Sequence, residues 1–414
     1  MRLTLDIALT HLLHRKRQSV VSVLGIAMGV GFFIAMAALM QGFQRYFVAK
    51  TIDVSPHVIM KDEYRVPPRQ PIEALYEGGA VRLLNIQPLD ERRGIKNGMA
   101  VAEAIATQPG VVVAPTLVGQ VFLRFGSKDV STTLYGIDPV RERRVTQIER
   151  DLVAGRLDGL LTAANGIILG HGLAAKLGVG MGDTVSAISS VGTILKMKVV
   201  GIFRSGITTK DNFESYTLLK KAQILHDRPN VVNELRLRLA DIEQAAPLAA
   251  SLEARYRYRS ESWEETNKNI LGIFVIQNGI MYSTVSAILI VAAFGIFNII
   301  TTVIHEKERD IAILKSMGFA EGPIRNIFVL EGLVVGIVGT LIGWVLGFGL
   351  TELLGTIRFR LEGFVTSEGF VLYYTIKHYL VAGAFALPAA VIAAWLPARK
   401  AAGVNPVDII RGAA

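Results

Sequence analysis

Four long runs of apolar residues, none containing a charged side chain, mark the chain. They cover residues 19–40, 279–304, 332–350 and 379–396. A membrane-spanning helix needs about 20 mostly apolar residues, so each run is long enough to cross a bilayer. The pattern predicts a membrane protein with four transmembrane helices. Between the first and second lies a much more polar insert.

The insert combines the periodicities of helices and strands. Helical spacing of apolar residues predicts helices at 99–107 and 172–177, the second ending before Gly178. Residues 57–97, rich in Pro, Arg and Glu, show little period and are predicted to be irregular. Strands are predicted at 111–114, 118–125, 132–135, 166–169, 184–188, 197–203 and 234–239. This mixture predicts a large α+β domain.

Composition agrees with a membrane protein and excludes several other classes. Apolar residues make up 51% of the chain and charged residues 19%, whereas average soluble domains carry about 25% charge. Such a composition excludes disordered, collagen-like and coiled-coil chains. Because the chain has no cysteine, it has no disulfide framework, thiol nucleophile or thiolate metal site.

The net charge of the chain is +9, and many of its basic residues lie beside the spans. Short cytoplasmic loops of membrane proteins are enriched in Lys and Arg. The rule places both termini and the loop 305–325 in the cytoplasm, and the insert outside it. The basic residues are Arg2, Arg15, Lys16 and Arg17, then Lys307, Arg309, Lys315 and Arg325, and finally Arg399, Lys400 and Arg411. They form no stripe with aromatic residues, so nucleic-acid binding is not predicted.

The spans and loops divide the chain into nine predicted segments. They are a cytoplasmic amphipathic helix (1–18), the first span with its stalk (19–42), an extracytoplasmic α+β domain (43–269), the second stalk and span (270–304), a cytoplasmic loop helix (305–325), the third span (326–352), a short extracytoplasmic loop (353–375), the fourth span (376–396) and a cytoplasmic tail (397–414). A cleaved signal peptide is an alternative for the first run, which is longer than the apolar part of a signal sequence.

The sequence contains no familiar catalytic or metal motif. There is no G-x-x-x-x-G-K-[ST] phosphate loop, no G-x-S-x-G nucleophile elbow and no H-E-x-x-H zinc motif. Gly178, Gly180 and Gly182 precede a predicted strand, whereas a dinucleotide-binding loop precedes a helix. We therefore predict no catalytic residue, no metal ligand and no cofactor bound by this chain. A membrane-anchored enzyme is disfavoured.

Small residues and apolar stripes indicate how the spans pack. Rows of glycine let transmembrane helices approach closely, and we expect packing here rather than a pore. The rows are Gly25 and Gly29, and Gly332, Gly336, Gly339, Gly343 and Gly347. Two apolar stripes extend beyond the first and second spans, which predicts helical stalks. They comprise Met36, Met40, Phe43 and Phe47, and Ile270, Phe274 and Met281.

The loop after the second span predicts a short amphipathic helix. The charged residues 306–310 precede Ile311, Ile313 and Leu314, and Gly318 then stops the helix. A helix that presents ion-pairing and apolar residues to the cytosol suits docking in a partner's groove. The alternative is an interfacial loop helix that only satisfies the charge rule.

These features together resemble the MacB/FtsX type of ABC transporter permease. The resemblance is carried by the loop residues 306–318, by 294–301 just before them and by the ending 397–411. Within the insert, residues 135–139 and 166–183 are most similar to the lipoprotein-releasing LolC/LolE branch. The resemblance covers nearly the whole chain.

The resemblance implies a multi-pass subunit of the bacterial inner membrane that is not itself an enzyme. It would pair with a second permease, either a copy of itself or a paralogue. Each permease would bind one cytoplasmic ABC ATPase subunit, two copies in all, which would use ATP and Mg. The residues that would couple to the ATPase are Glu306, Lys307, Glu308, Arg309, Asp310, Ile311, Ile313, Leu314 and Gly318.

The LolC/LolE branch implies a mechanical transducer that extracts acylated lipoproteins from the membrane and hands them to a periplasmic carrier. The two apolar stripes would then hold the acyl chains of the cargo near the outer leaflet. Packing of the stripes against each other or against lipid is the alternative. Two other functions stay open: a MacB-like efflux permease for small amphiphiles or peptides with a periplasmic adaptor, and an FtsX-like transmembrane signal transducer.

Overall fold

The computed structural model describes residue 10 and residues 16–62, 94–358, 360–362 and 366–403. The helices are α1 (Lys16–Val54), α2 (Gly98–Ala106), α3 (Pro139–Val145), α4 (Gly159–Thr162), α5 (His171–Leu177), α6 (Thr208–Phe213), α7 (Leu219–Leu225), α8 (Ala245–Tyr256), α9 (Trp263–Thr266), α10 (Lys268–Glu306), α11 (Glu308–Ser316), α12 (Glu321–Thr356) and α13 (Ile376–Ala402). Most of the predicted helix 1–18 and most of the predicted tail 397–414 lie outside the described residues.

The strands are β1 (Val58–Lys61), β2 (Val111–Phe125), β3 (Lys128–Ile137), β4 (Leu152–Gly155), β5 (Gly166–Gly170), β6 (Thr184–Ser189), β7 (Ile194–Phe203), β8 (Glu214–Leu218), β9 (Glu234–Leu239), β10 (Arg259–Ser262), β11 (Arg360–Glu362) and β12 (Thr366–Glu368). The chain divides into two compact units. The membrane unit comprises residues 1–46, 272–360 and 368–414, and the sheet domain comprises 47–271 and 361–367.

The membrane unit is built from α1, α10, α12 and α13, which are long and apolar enough to cross a membrane. Each of the four predicted apolar runs lies inside one of these helices. Their facing sides form one apolar core that also includes Ile311 of α11. Between α12 and α13, the Trp344 indole N–H donates to the carbonyl oxygen of Tyr379 over 3.1 Å.

The sheet domain is organised around a ten-stranded mixed sheet. The strand order is β10-β1-β9-β2-β3-β8-β5-β7-β4, and β6 pairs with both β2 and β7. Neighbouring strands are antiparallel except for the parallel pairs β3–β8 and β5–β7. Three apolar clusters, formed mainly by the strands and the helices α2, α5 and α8, fill the domain.

The predicted strands are all present, although two of them are one strand. The segments predicted at 111–114 and 118–125 join into β2, which passes through Pro115. Residues 111–116 of β2 pair with β9, whereas 117–125 pair with β3. The interruption of the pattern therefore marks a change of partner strand and not the end of a strand.

The prediction that residues 57–97 are irregular is wrong at their start. Residues 58–61 form β1, which is held between β9 and β10. Four residues are too few to show a clear period, so the composition of the segment hid this strand. The part of the predicted irregular region at 63–93 lies outside the described residues.

Candidate functional site

The helix α11, which lies between two predicted spans, has a well-defined end. The N–H of Phe319 donates to the carbonyl of Leu314 over 3.1 Å, and that of Gly318 donates to Lys315 over 3.0 Å. This is the Schellman arrangement of a helix C-terminus. Gly318 has a φ of +92°, a conformation that favours glycine. The predicted role of Gly318 as the stop of this helix is confirmed.

A local ion pair lies at the start of α11, and a hydrogen bond joins its end to another helix. The Lys307 ammonium lies 2.7 Å from Asp310 Oδ2, and the acidic first turn suits the positive end of the helix dipole. At the other end, the Lys315 ammonium donates to the carbonyl oxygen of Ala402 over 2.6 Å. The last turn of α11 is thus held against the end of α13.

The structure divides the predicted coupling residues between two faces of α11. Ile311 is 3% exposed and packs in the core of the membrane unit, whereas Ile313 is 55% exposed. Ile311 is therefore corrected from a partner contact to an anchor of the helix. Among the other predicted residues, Glu306, Arg309, Asp310 and Gly318 are exposed, while Lys307, Glu308 and Leu314 are half-buried.

Met317 and Phe319 belong to the same exposed surface, and the sequence prediction of the coupling set missed them. Met317 is 72% exposed, and its position four residues after Ile313 puts both on one side of the helix. Phe319 follows the glycine stop and is also exposed. We call Ile313, Met317 and Phe319 the exposed apolar face. Exposed apolar residues of this kind make the face a candidate contact surface for a partner.

The first glycine row of α12 lies against α13. A Cβ atom built on Gly332 would lie 2.3 Å from the Cβ of Ala394, and one on Gly336 would lie 2.8 Å from that of Ala390. Two carbon atoms in ordinary contact are about 3.5–4.0 Å apart. A larger residue at either position would therefore push the two helices apart.

The second glycine row of α12 lies against α1. Cβ atoms built on Gly339, Gly343 and Gly347 would lie 2.8, 2.7 and 2.8 Å from the Cβ atoms of Ile26, Val30 and Ile34, respectively. The row therefore lets β-branched side chains of α1 rest directly on the backbone of α12. Both rows occupy the side of α12 predicted to pack against other helices.

Replacing Gly343 with alanine is expected to destabilise the membrane unit by about 1–3 kcal/mol, the usual cost of overpacking. Gly349 offers a matched control in the same helix, because no atom of another described helix lies within 4 Å of a Cβ built there. We expect thermal unfolding in detergent to start at a lower temperature for Gly343→Ala and at the wild-type temperature for Gly349→Ala. Equal midpoints for the two variants would contradict the packing role.

Those members of the two predicted apolar stripes that belong to the membrane unit form a seam between α1 and α10. Phe43 and Phe274 meet edge to face with ring centroids 6.0 Å apart, and Met281 is in the core with Met36 and Met40 packed against it. The prediction of an open acyl-chain surface is therefore corrected for the buried Phe274 and Met281. Their size and spacing serve the contact between α1 and α10.

The remaining members of the stripes have different surroundings. Met36, Met40 and Phe43 are half-buried, so their contact with a cargo stays a prediction. Phe47 and Ile270 belong to the sheet domain, where Phe47 is buried and Ile270 is half-buried. Gly25 and Gly29 of α1 lie along its contact with α10. A Cβ built on Gly29 would lie 3.2 Å from Ile288 Cγ2.

A buried charged cluster lies inside the sheet domain. The Arg236 side chain is 4% exposed, and its Nη1 donates to Glu142 Oε1 over 2.7 Å. Its Nε lies 3.4 Å from Glu234 Oε1, and its guanidinium stands 5.0 Å from the ring centroid of Tyr135. Within the described residues, Glu142 Oε2 has no hydrogen-bond partner. Arg236 therefore holds two carboxylates that would otherwise be costly to bury.

Two stacked tyrosines complete this cluster. The rings of Tyr135 and Tyr216 lie 5.2 Å apart, and the Tyr216 hydroxyl donates to Glu214 Oε2 over 2.7 Å. Burial raises the pKa of both phenols well above the ordinary value, and the charge of Glu214 raises it further. Burial also raises the pKa of Glu234, against the opposing effect of Arg236. The cluster thus links strands β3, β8 and β9 electrostatically.

The insert motifs that carry the family resemblance have structural roles. Gly136 allows α7 to approach, because a Cβ there would lie 2.3 Å from Ala222 Cβ. Asp138 caps α3 by accepting a hydrogen bond from the N–H of Val140 over 3.0 Å, and Pro139 occupies the first turn. These residues determine where a helix begins and contribute no reactive group.

Two family models match this chain. Residues 19–255 match the MacB-like periplasmic core domain, and residues 282–406 match the FtsX-like permease C-terminal region. The chain belongs to the MacB/FtsX family of ABC transporter permeases. The second match contains the whole of α11, together with both glycine rows of α12.

The permease is similar over most of its length to proteins of lipoprotein release. It is 26% identical to the lipoprotein-releasing system transmembrane protein LolC of Neisseria meningitidis, with 95% of this chain and 94% of the relative covered. It is 28% identical to LolC of Xylella fastidiosa over 95% and 93% of the two chains. It is also 24% identical to the uncharacterised permease YknZ of Bacillus subtilis over 98% and 97%.

The family and the four apolar helices establish the broad class of the protein. The permease is a multi-pass protein of the inner membrane with a large extracytoplasmic α+β domain between its first and second spans. Because the protein is a permease subunit of the ABC type, its family implies an ATPase partner and a paralogous permease.

Proposed function

We propose that this permease belongs to an ATP-driven transporter that extracts acylated lipoproteins from the inner membrane and hands them to a periplasmic carrier. The observation that carries the proposal is the similarity to two LolC proteins over 95% of this chain. The similarity extends through the membrane unit and the sheet domain alike. The lack of charged residues within the four apolar runs also suits a cargo with acyl chains better than a polar solute.

The exposed apolar face of α11 is the proposed docking site for the ATPase. Ile313 and Met317 are exposed on a helix that Ile311 and Lys315 anchor to the rest of the membrane unit. A rigidly held helix with an exposed apolar side can receive a push from a partner and move the unit with it. Binding and hydrolysis of ATP, with Mg, would take place on two ATPase copies, and this chain would bind no cofactor.

The long helices support the proposal of a mechanical transducer. Helices α1 and α10 each contain 39 residues, which corresponds to about 58 Å at 1.5 Å per residue. The hydrocarbon core of a bilayer is about 30 Å thick, so each helix continues well beyond it. If a movement of α11 tilted either helix, the tilt would extend beyond the membrane, because no loop interrupts the helix.

The orientation and pairing of the subunit complete the proposal. Both termini and α11 would lie in the cytoplasm, and the enrichment of basic residues in the short segments supports this orientation. The sheet domain would then lie in the periplasm. The second permease would be a copy of this chain or a related paralogue.

A second candidate function is export of a small amphiphile or peptide with a periplasmic adaptor. The match of residues 19–255 to the MacB-like periplasmic core domain favours a transporter of this kind. An FtsX-like signal transducer is a third, because the FtsX-like model matches residues 282–406. These functions differ in their periplasmic partner: a lipoprotein carrier, an adaptor or an enzyme that acts on the cell wall.

Mass spectrometry of proteins that co-purify with the tagged full chain from native membranes tests the proposal. We expect an ABC ATPase, a permease and lipoproteins that carry acyl chains, each enriched over membranes with the untagged chain. Recovery of an ATPase with an adaptor protein and no lipoprotein would replace lipoprotein release by efflux. Recovery without any ATPase would overturn the transporter proposal as a whole.

A further inference from the structure

The first and last elements of the main segment of the sheet domain are joined at His57. This residue follows the end of α1 at Val54 by three positions. Its N–H donates to the carbonyl of Leu237 in β9 over 2.8 Å, and its carbonyl accepts from the N–H of Trp263 over 2.9 Å. Trp263 is the first residue of α9, and one residue separates α9 from α10. The main chain of His57 therefore connects the end of α1, the strand β9 and the helix that leads into α10.

The side chain of His57 adds a further bond to β9. Its Nδ1 accepts a hydrogen bond from the N–H of Leu239 over 3.2 Å, and the residue is 5% exposed. The ladder between β1 and β9 ends at Leu237, and the N–H of Ala240 points the other way, to the carbonyl of Gly110. The imidazole therefore supplies the acceptor that a longer β1 would have supplied, and a buried N–H needs one.

This bond requires the unprotonated form of the ring. Because Nδ1 accepts the hydrogen bond, the neutral imidazole of His57 carries its proton on Nε2. A second proton would bind Nδ1 and would face the N–H of Leu239, so that two donors would meet. Protonation of His57 therefore removes the side-chain bond to β9.

Charged groups on the surrounding elements are mostly engaged with one another. On β9, Arg238 Nη1 donates to the carbonyl oxygen of Asp53 in α1 over 3.2 Å, and its Nη2 lies 3.8 Å from the Asp53 carboxylate. On α9, Glu264 is exposed, and Glu265 accepts from the N–H of Ser262. The charged residues of β1 and β10 lie at the opposite end of that strand pair and are Lys61, Arg259 and Glu261.

The surroundings of His57 favour its neutral form. Burial and, to a smaller extent, the charge of Arg238 lower the pKa of His57, whereas the backbone of Ile52 and Leu239 acts in the opposite direction. An imidazole released to solvent would regain a pKa of about 6.5. The bond to β9 therefore contributes fully above about pH 6.5 and is lost as the pH falls through the lowered pKa of the folded domain.

We propose that His57 is a pH-sensitive clasp that holds the end of α1 and the start of α10 to β9. At neutral pH the unprotonated ring keeps the clasp closed. In an acidic medium a proton on Nδ1 would release Leu239, and the two helix ends would move independently of β9. The domain is extracytoplasmic, so the buffered pH of the cytoplasm does not protect it. The clasp lies within the sheet domain and does not depend on which cargo is carried.

A distance measurement between two spin labels tests this inference on the full chain in detergent. The chain has no cysteine, so Ala49→Cys near the end of α1 and Lys268→Cys at the start of α10 provide the only labelling sites; both positions are exposed or solvent-accessible in the sheet domain. Pulsed electron paramagnetic resonance is recorded at about pH 7.5 and about pH 5, on either side of the ordinary histidine pKa. We expect one narrow distance at the higher pH. At the lower pH we expect a second, broader population that grows severalfold relative to the first.

Three variants assign this response to the ring of His57. His57→Asn keeps an acceptor oxygen close to the position of Nδ1 but does not titrate, so it is expected to give the narrow distance at both pH values. His57→Ala removes the acceptor and is expected to give the broader population at both. His226→Asn is the matched control, because His226 is also buried and its pKa is also lowered by burial, but it lies against Gly119. It is expected to respond to pH as the wild type does.

Three results would overturn the inference. The same narrow distance at both pH values in the wild type would show that the clasp does not open. A response to pH that persists in His57→Asn would assign it to another group, and a broad population at neutral pH in that variant would show that the acceptor does not hold the joint. The comparison of the wild type with His57→Asn is decisive even if His57→Ala does not fold. None of these results bears on the cargo, so the proposed function is tested separately.

Discussion

Replacing Arg236 with alanine is expected to lower the free energy of unfolding of the sheet domain by about 3–5 kcal/mol, the usual cost of breaking a buried ion pair. The change would leave the carboxylates of Glu142 and Glu234 buried without their cation. Burial lowers the pKa of Arg236, but attraction to Glu142 and the neighbouring acidic groups outweighs it, so the pKa is raised and the charged form is favoured.

Hydrogen exchange of the full chain in detergent measures this effect at the strand that carries the residue. We expect the amides of β9 to lose protection in Arg236→Ala, since β9 pairs with both β1 and β2. Arg124→Ala is the control, because Arg124 lies on the same sheet and forms an exposed pair with Asp129 that contributes little. Unchanged protection in Arg236→Ala would show that the cluster does not stabilise the domain.

Changing Ile313 to aspartate is expected to uncouple the permease from its ATPase. A carboxylate in the centre of the exposed apolar face would have to be desolvated on docking, which weakens an apolar contact by several kcal/mol. We expect at least a hundredfold loss of ATPase binding, which corresponds to about 3 kcal/mol. Since Ile313 is 55% exposed, insertion and folding of the chain should be unaffected.

Pull-down of the ATPase with the full chain from membranes measures the loss, and the amount of chain in the membrane fraction reports insertion. Ile313→Leu keeps the size and the apolar character of the side chain and is expected to bind as the wild type does. Ile311→Asp is expected to fail in a different way, because it places a charge in the core of the membrane unit and reduces the amount of folded chain. Wild-type association of Ile313→Asp with the ATPase would falsify the docking assignment.

Much of the architecture follows from local sequence patterns. The four apolar runs are long enough to predict spans without knowledge of the rest of the fold. Apolar and polar residues alternate so regularly in β9 that its predicted and observed limits coincide. The stop at Gly318 also follows from local chemistry, since a left-handed residue is needed to close that helix. In these cases the signal lies within a few neighbouring residues.

The features that the sequence did not predict depend on residues distant along the chain. Strand β8 contains the buried Ser215 and Thr217, whose polarity obscures the alternation. The Thr217 hydroxyl is satisfied by the carbonyl oxygen of Gly166, 51 residues earlier. Likewise, α11 has apolar residues on two sides, and only the packing of Ile311 in the membrane unit's core reveals that Ile313 faces outward.

The predicted stripes illustrate the same difficulty at a larger scale. Regular spacing of Phe43 along α1 and Phe274 along α10 fits an acyl-chain surface and a helix seam equally well. The ring contact between the two residues distinguishes these interpretations, and it joins positions more than 200 residues apart. Amphipathic periodicity identifies which side of a helix is covered, but it does not identify what covers it.

The pairing of β1 with β10 makes the sheet domain modular. Val58 lies opposite Ser262 in an antiparallel register, so the main segment of the domain, residues 47–271, begins and ends close to adjacent strands. Domains with neighbouring ends can be inserted into another protein, or removed from it, without separating the elements that flank them. A cassette of this kind can diversify or be exchanged between membrane proteins while the four spans and their glycine contacts are inherited unchanged.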